Sequence, residues 1–445
     1  MLKIVLISTY ELGRQPFGLA SPAAWLRADG HDVTCADLAC GPLPGLPVAE
    51  ADLLAFYLPM HTATRLAVAA IEKVRTLNPR AHLCCYGLYA PMNELYLRAL
   101  GVQAILGGEF EQGLRDLAER VSHNAGRAQQ EPLISLAKQK FLTPDRSGLP
   151  ALGRYAKLLT AGEERLVGYT EASRGCRHLC RHCPVVPVYN GTFRVIERAV
   201  VLEDIRRQVG AGAEHITFGD PDFFNGPGHA VAIVHALHAE HPSLTYDATI
   251  KIEHLLQNRE LLPVLKQTGC LFVTSAVESI DDTVLEKLAK GHTRADFIQV
   301  VGIMRKAELT LAPTFVTFTP WTTWDGYRDL LRVIVDLDLV ENVGPIQLAM
   351  RLLIPPGSRL LDLTDIREMV GPFDPAALSY QWQHSDLEID QLCAEIQQLI
   401  QREERRKASR SEIFSKIWEL AHGRPHDFHL ASRATIPYLN EPWYC

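Results

Sequence analysis

The 445-residue sequence contains no apolar run of the roughly 18 residues that a membrane span requires. Its N-terminus, MLKIVLISTY, lacks the basic start, the long apolar stretch and the cleavage site of a signal peptide. Basic residues are not in excess, because 45 Lys and Arg stand against 52 Asp and Glu. This balance argues against binding to nucleic acid. Together these absences predict a cytoplasmic globular protein with neither a membrane nor a nucleic-acid partner.

Cysteines are scarce outside one short segment, although the chain has ten. Cys176, Cys180 and Cys183 follow the spacing C-x3-C-x2-C, and no second cluster appears between residues 184 and 444. Because disulfides rarely persist in the cytoplasm, paired cysteines are not expected. Six further cysteines lie among apolar or helical neighbours and are predicted to be buried core thiols, namely Cys35, Cys40, Cys84, Cys85, Cys270 and Cys393.

Alternating strand and helix patterns predict an α/β protein of two main domains. The first is a doubly wound, Rossmann-like domain over residues 1–122, with strands at 2–8, 33–36, 53–58, 82–86 and 104–106. Residues 123–165 are predicted to be a linker. A partial (β/α)6 barrel follows over 166–375, with strands at 167–171, 216–218, 245–250, 271–276, 311–318 and 346–353. Residues 376–430 read as a helical region, and residues 431–445 form a tail.

The cysteine loop is the segment with the clearest chemistry. Three thiolates within eight residues can hold three corners of a cubane iron–sulfur cluster, which leaves the fourth iron open to a small molecule. Three arginines, Arg174, Arg177 and Arg181, would lower the thiol pKa values and offset the cluster charge. Two alternatives stay open at this point: a zinc site with His178 or His182 as the fourth ligand, and three unreactive buried thiols.

This loop, placed directly after the first barrel strand, resembles the cluster loop of the radical S-adenosylmethionine (SAM) superfamily. His182 departs from the aromatic residue that usually precedes the third cysteine there. The resemblance implies a [4Fe-4S] cluster on Cys176, Cys180 and Cys183 whose open iron binds the amino and carboxylate groups of SAM. It further implies an electron donor such as flavodoxin or ferredoxin. One electron from this donor cleaves SAM to methionine and a 5′-deoxyadenosyl radical.

The same resemblance implies that SAM contacts polar residues at the ends of the other barrel strands. The Gly219-Asp220 pair after the second strand differs from the Gly-Gly-Glu that is common in the family. The predicted cofactor-binding residues are Gly219, Asp220, Lys251, Glu253, Glu278 and Arg351.

The N-terminal domain resembles the cobalamin-binding domain of one large radical SAM class. Gly107, Gly108 and Glu109 match the Gly-Glu segment at its last strand. The Asp-x-His-x-x-Gly motif that supplies a histidine to the cobalt is absent from this chain. Two possibilities follow: cobalamin binds without such a histidine, or the domain keeps the fold without the cofactor.

The last residues, 437–445, resemble the segment that precedes the tail of a radical SAM protein family named for Cys-Cys-Ala-Glu-Pro or Cys-selenocysteine-Ala-Glu-Pro. That resemblance makes Cys445 a predicted catalytic residue with a redox role. It also gives the expectation that the codon after Cys445 specifies selenocysteine, which would make this a selenoprotein.

The leading functional prediction is therefore a radical SAM enzyme acting on an unidentified small molecule or peptide. A cobalamin-dependent methyl transfer is the first alternative. A metal or selenium carrier without catalytic activity and a zinc-stabilised interaction protein are the others.

Overall fold

The computed structural model describes residues 1–123, 131–160, 163–425 and 438–439. It contains two large sheets, one in each predicted domain, and all five strands predicted for the first domain are present. The predicted tail, including Cys445, lies outside the described residues apart from 438–439, so its redox and selenocysteine assignments stay predictions. In the described part of the chain, no helix is long and apolar enough to cross a membrane.

The first sheet is parallel, with strand order β2-β1-β3-β4-β5-β6. Its strands are almost wholly buried, as expected when helices cover both faces of a parallel sheet. The strands are β1 (Lys3–Ser8), β2 (Asp32–Asp37), β3 (Leu53–Tyr57), β4 (His82–Tyr86), β5 (Ala104–Gly108) and β6 (Ile134–Ser135). The helices are α1 (Phe17–Ala28), α2 (Gly45–Glu50), α3 (His61–Leu77), α4 (Tyr89–Met92), α5 (Glu94–Ala99) and α6 (Phe110–Ser122).

Helix α1 begins at Phe17, and Pro22 lies inside it. A proline within a helix leaves the carbonyl four residues earlier without its helical donor. Here that carbonyl belongs to Gly18, and it accepts a hydrogen bond from the Tyr86 hydroxyl at 2.8 Å. A Cβ at Gly18 would lie 2.2 Å from the ring of Tyr57, so only glycine fits at this contact. Tertiary contacts thus accommodate the proline.

The second sheet has the order β14-β13-β12-β11-β8-β7-β17, and β8, β11, β12, β13 and β14 are parallel. Its strands are β7 (Lys157–Thr160), β8 (Glu163–Thr170), β11 (His215–Phe218), β12 (Thr245–Thr249), β13 (Cys270–Glu278), β14 (Thr310–Phe315) and β17 (Tyr438–Leu439). Two short antiparallel pairs lie outside it: β9 (Ser173–Gly175) with β10 (Phe193–Val195), and β15 (Phe373–Asp374) with β16 (Ser379–Tyr380). The predicted linker therefore contributes β7 to this sheet, antiparallel to β8.

Helices between these strands cover the sheet, and their apolar faces form the largest core cluster. They are α7 (Val186–Tyr189), α8 (Arg198–Gly210), α9 (Pro227–Glu240), α10 (Ile252–Gln257), α11 (Leu262–Gln267), α12 (Asp282–Lys287), α13 (Arg294–Lys306), α14 (Trp324–Asp336) and α15 (Thr364–Met369). The predicted helical region contains α16 (Leu387–Arg405) and α17 (Arg410–His422). Five 3-10 turns span Leu152–Arg154, Phe223–Asn225, Arg259–Leu261, Pro345–Leu348 and Arg359–Asp362.

The sixth predicted barrel strand, 346–353, is not an extended strand. Its first residues form the 3-10 turn that begins at Pro345, and the only strand-like contact is one bridge between Phe318 and Arg351. The buried side chain of Gln347 explains the difference, because its Oε1 accepts from the backbone N–H of Phe315 at 3.0 Å. The Gln347 side chain thus accepts the backbone hydrogen bond at the end of β14 that a sixth strand would otherwise have accepted. The result is an open half-barrel.

Candidate active site

The three motif cysteines lie in a loop between β9 and β10, at the carboxyl end of β8. Cys176 and Cys180 are buried and Cys183 is half-buried. The loop turns at Gly175, where φ is +75° and a Cβ would stand 2.4 Å from the carbonyl oxygen of Thr192, so only glycine is tolerated. The remaining described cysteines lie elsewhere, and those predicted as core thiols are buried except Cys40, which is half-buried and lines a cavity described below.

The cysteine thiols are close enough to influence one another electrostatically. Burial, with smaller effects of the neighbouring Cys180 and Cys176, raises the pKa of Cys183 to about 12. Burial also raises the pKa of Cys176. Thiols so placed ionise when a metal centre binds them, since the thiolate is the ligand.

Two ammonium groups face the same loop. Lys251 Nζ lies 3.7 Å from Cys180 Sγ. Burial lowers the pKa of Lys290, but the Glu278 carboxylate, with smaller effects of Cys180 and Cys183, outweighs burial and raises that pKa above its ordinary value. Three convergent thiols beside two cations fit an anionic iron–sulfur cluster with one open iron. In that arrangement Cys176, Cys180 and Cys183 would be its ligands.

Glu278 lies at the end of β13 with φ at +68°, a conformation that a non-glycine residue rarely adopts. Its Oε1 accepts from His182 Nε2 at 3.0 Å and from Lys290 Nζ at 3.3 Å. Burial acts to raise the pKa of Glu278, but Lys290 and His182 outweigh burial and lower it to about 2. Glu278, one of the predicted cofactor-binding residues, thus connects the end of β13 to His182, the residue before Cys183.

Replacing Glu278 with glutamine should destabilise the protein in a pH-dependent way. The folded pKa of Glu278 lies below its ordinary value, so this group contributes stability above about pH 4.5, and that contribution is lost as the pH falls toward 2. Denaturant midpoints measured from pH 2.5 to 7 should therefore differ most between wild type and E278Q at neutral pH. The exposed Glu72 gives the matched control, E72Q. If the midpoints of wild type and E278Q differed by the same amount at every pH, the lowered pKa of Glu278 would be contradicted.

Gly219 and Asp220 lie where the sequence predicts them, at the end of β11. Local contacts explain why each of these residue types is found there. A Cβ at Gly219 would stand 2.0 Å from the Tyr169 hydroxyl. The buried Asp220 carboxylate accepts from the Ala172 N–H at 2.8 Å and the Ser173 hydroxyl at 2.5 Å. Burial raises the pKa of Asp220 to about 7. Asp220 therefore positions the strand that leads to the cysteine loop, and its contact with a cofactor stays a prediction.

Of the other predicted residues, Lys251 and Glu253 are near the cysteine loop, because Lys251 Nζ lies 3.7 Å from Cys180 Sγ and Glu253 Oε2 lies 3.5 Å from His178 Nδ1. Arg351 has a different environment. Its guanidinium donates to Asp390 and to the carbonyl of Trp382, and it stacks 3.6 Å from the Trp382 ring centroid. The structure thus brings Glu278, Lys251 and Glu253 together with the cysteines and gives Arg351 contacts in the helical region.

The sequence analysis did not identify three residues beside this loop. Asp222 and His254 approach His178, and Lys290 pairs with Glu278. Asp222 and His254 both follow strand ends that already carried predicted polar residues, so their position in the chain was a usable signal. Lys290 follows a helix rather than a strand and gave no such signal.

Arg174, two residues before Cys176, joins the two domains. Its guanidinium contacts Glu171 at 2.7 Å, Glu111 at 2.7 and 2.9 Å, and Glu109 at 3.4 Å. Glu109 belongs to the Gly-Glu segment of the first domain, and burial raises its pKa to about 7. The strand that carries the cysteine loop is thus bonded directly to the carboxyl end of β5.

Two connected cavities lie between the domains, at the carboxyl edge of the first sheet. The larger encloses about 970 Å³ and is lined by residues that follow β1, β2 and β3, by Arg154–Ala156 and by the β15–β16 turn. The smaller, of about 190 Å³, is lined by Gly108 and Tyr57 on one side and by Gly175 and Gly219 on the other. Glu11 and Arg14 line both cavities, so the larger one continues to the cysteine loop.

This chain is similar to known proteins in sequence and in fold. A relative in Methylococcus capsulatus, the hopanoid C-3 methylase, is 24% identical over 320 residues, which cover 69% of this chain and 62% of that protein. The cobalamin-dependent SAM radical enzyme OxsB, solved with aqua-cobalamin and SAM, matches with a TM-score of 0.71 and 14% identity over 89% of this chain and 66% of that one. The radical SAM methyltransferase TsrM from Kitasatospora setae, solved with tryptophan and a SAM analogue, matches with a TM-score of 0.65 and 16% identity over 85% and 82%.

The structural neighbours confirm the predicted fold class, an N-terminal α/β domain followed by a radical SAM half-barrel. The chain spans about 62% of the length of the curated relative named above. Residues 170–332, which include the cysteine loop and β11 to β14, match the model of the radical SAM superfamily. This match confirms both the superfamily that the cysteine loop predicted and the prediction of an enzyme. Residues 170–332 of this chain are therefore a radical SAM domain.

Proposed function

We propose that this enzyme is a cobalamin-dependent radical SAM methyltransferase. The observation that carries the proposal is the large cavity at the carboxyl edge of the first sheet, together with its continuation to the cysteine loop. Ligands of doubly wound domains bind at this edge. A volume of 970 Å³ is at the upper end of the roughly 300–1,000 Å³ that ligand sites enclose, so the occupant is large.

The lining of the large cavity suits cobalamin. Arg14, Arg65 and Arg154 line it and offer donors to a phosphodiester and to amide carbonyls, both of which cobalamin carries. His61 Nε2 donates to the Ala377 carbonyl at 2.6 Å, which ties helix α3 to the β15–β16 turn beside the cavity. With this ring engaged, the cobalt would bind without a ligand from His61.

When bound, the cluster supplies an electron to SAM, and cobalamin supplies a cobalt centre that can carry a methyl group. The chain's own residues place these groups. Cys176, Cys180 and Cys183 would hold the cluster, while Lys251 and Lys290 offset its negative charge. Glu278 holds His182 and Lys290 in place at the end of β13. The buried contacts of Arg174 keep the two domains, and therefore the two cofactor sites, at a constant separation.

A cavity-filling experiment tests the cobalamin site. Thr62 and Ala156 both line the large cavity, so T62W and A156W should each weaken cobalamin binding by at least about 100-fold, or about 2.7 kcal/mol. Leu46 is 70% exposed on α2 and gives the control L46W, which should bind like wild type. Binding is measured by the visible spectrum of the protein after gel filtration with hydroxocobalamin.

The reaction type is tested with the same preparations. With reductant and SAM, the cobalamin-loaded enzyme should form S-adenosylhomocysteine in addition to 5′-deoxyadenosine. Formation of 5′-deoxyadenosine alone, by a protein that retains no cobalamin, would favour a radical enzyme whose first domain is empty. Failure to form either product with a complete cluster would favour a carrier.

A further inference from the structure

Three side chains from separate parts of the barrel domain converge behind the cysteine loop. His178 belongs to the loop itself, Asp222 follows β11, and His254 is in the first turn of α10. His178 Nε2 lies 3.3 Å from His254 Nε2 and 3.8 Å from Asp222 Oδ2, and His254 Nδ1 lies 2.7 Å from the same Asp222 oxygen. One ligand atom from each residue lies within 4.8 Å of the others.

Two of these atoms have no hydrogen-bond partner although they are buried. Asp222 is fully buried and His254 is 6% exposed, yet neither Asp222 Oδ2 nor His254 Nδ1 makes an aligned hydrogen bond. The other Asp222 oxygen accepts from the Phe224 N–H at 3.1 Å, which holds the carboxylate in this orientation. Buried polar atoms are almost always satisfied, so two lone pairs that face each other here point to a shared ligand.

The donor set indicates the class of that ligand. Two imidazoles and a carboxylate with open positions are typical of zinc and of non-haem ferrous iron. A tetrahedral zinc with arms of about 2.05 Å separates its ligands by roughly 3.3 Å. With His254 Nδ1 as that residue's single donor, Asp222 Oδ2 lies 2.7 Å from it and 3.8 Å from His178 Nε2, and these two distances bracket that separation. Glu253 Oε2 lies 3.5 Å from His178 Nδ1, where a carboxylate commonly orients a metal-binding histidine.

We propose that His178, Asp222 and His254 bind one divalent transition-metal ion, such as zinc, in addition to the iron–sulfur cluster. The ion joins the cysteine loop to the carboxyl ends of β11 and β12. Two further contacts hold the same elements together, since Asn225 accepts from the Arg177 N–H at 3.2 Å and donates to the Gly175 carbonyl at 3.3 Å. The site contains no thiol, which distinguishes it from a zinc site on the motif cysteines.

Metal analysis of the full chain with its cluster tests the proposal. After anaerobic reconstitution with iron and sulfide, the protein is equilibrated with zinc and dialysed against a weak chelator. We expect about four irons and about one zinc per chain. X-ray absorption at the zinc edge is specific to that element, so the cluster iron does not interfere. The expected first shell contains nitrogen and oxygen, with the outer scattering of two imidazoles.

Variants assign the ligands. H254Q and D222N should each weaken zinc binding by at least about 100-fold, because even loss of a residue that only orients a ligand costs about 10–100-fold. The matched control is H215Q, which removes a fully buried histidine that contacts Asp247 at 2.9 Å at the opposite ends of the strands. H215Q should keep the zinc.

Three results would overturn the metal site: no zinc retained by the wild-type protein, a sulfur ligand at the zinc edge, or full zinc binding by both H254Q and D222N. In the first case the trio would be a hydrogen-bonded His–Asp–His network. The spectrum of the wild-type protein decides the question even if a variant fails to fold. None of these results depends on cobalamin, so a failure here is distinguishable from a failure of the proposed function.

Discussion

Replacing Cys180 with alanine is expected to lower the bound iron from about four atoms to below about one per chain, and to reduce cleavage of SAM at least about 100-fold. Cys180 is buried, lies 3.7 Å from the Lys251 ammonium, and acts electrostatically on both other motif thiols. A cluster that keeps only two protein ligands would lose iron. Iron analysis, the visible spectrum and the yield of 5′-deoxyadenosine under dithionite measure the effect.

The matched control is Cys393→Ala. Cys393 is also a buried thiol, but it lies in α16 and its Sγ contacts the Ala349 carbonyl. C393A should therefore keep its iron and its SAM cleavage, at a modest cost in stability from the lost packing. If C180A retained about four irons and full cleavage, the cluster assignment would be wrong. A wild-type protein that binds zinc through these thiols and takes up no iron would have the same consequence.

Replacing Arg174 with methionine is expected to reduce the free energy of unfolding by about 3–5 kcal/mol, because it leaves buried carboxylates without their cation. The guanidinium is the shared partner of Glu109, Glu111 and Glu171, and their side chains are 1%, 0% and 13% exposed. It also lies within 5.0 to 5.6 Å of the ring centroids of Phe17, Phe110 and Phe141. The denaturant midpoint, followed by fluorescence and by limited proteolysis between the domains, measures the loss.

Two further variants make the Arg174 result specific. R174K keeps the positive charge but loses the planar fork that bonds several carboxylates at once, so its midpoint should fall between those of wild type and R174M. R207M removes an exposed arginine that pairs with Glu203 one helical turn away, and it should cost no more than about 0.5 kcal/mol. A loss for R174M as small as that for R207M would contradict a buried network that joins the domains.

The local part of this site was predictable from the sequence because the information is local. The C-x3-C-x2-C spacing lies within eight residues, and one strand directly precedes it, so Cys176, Cys180 and Cys183 were identified without any knowledge of packing. The positions of Glu278 and Lys251 followed from the same reasoning, since parallel strands bring their carboxyl ends to one edge. Each of these residues is close to a strand whose pattern was visible in the chain.

Other features depend on the relative placement of distant elements. Arg351 lies near the end of the predicted strand 346–353. The Gln347 side chain instead accepts the backbone hydrogen bond that such a strand would have accepted, and Arg351 pairs with Asp390 of α16. Asp220 lies at the predicted strand end, yet its carboxylate is engaged by Ala172 and Ser173. A single sequence does not show which way a side chain turns after its strand has ended.

The sequence by itself determined the α/β class and the radical SAM resemblance, and it predicted the two domains and the cysteine ligands, because periodicity and close spacing are properties of short segments. Only the tertiary structure decided that Arg174 pairs with Glu109 and Glu111 across the domains, that a cavity leads from β1 to β3 toward Gly175, and that His178, Asp222 and His254 meet. The ion pairs and the trio join residues that are 32 to 76 positions apart. Their formation depends on sheet order, on strand register and on how two domains pack, and those are set by the whole core rather than by any local pattern.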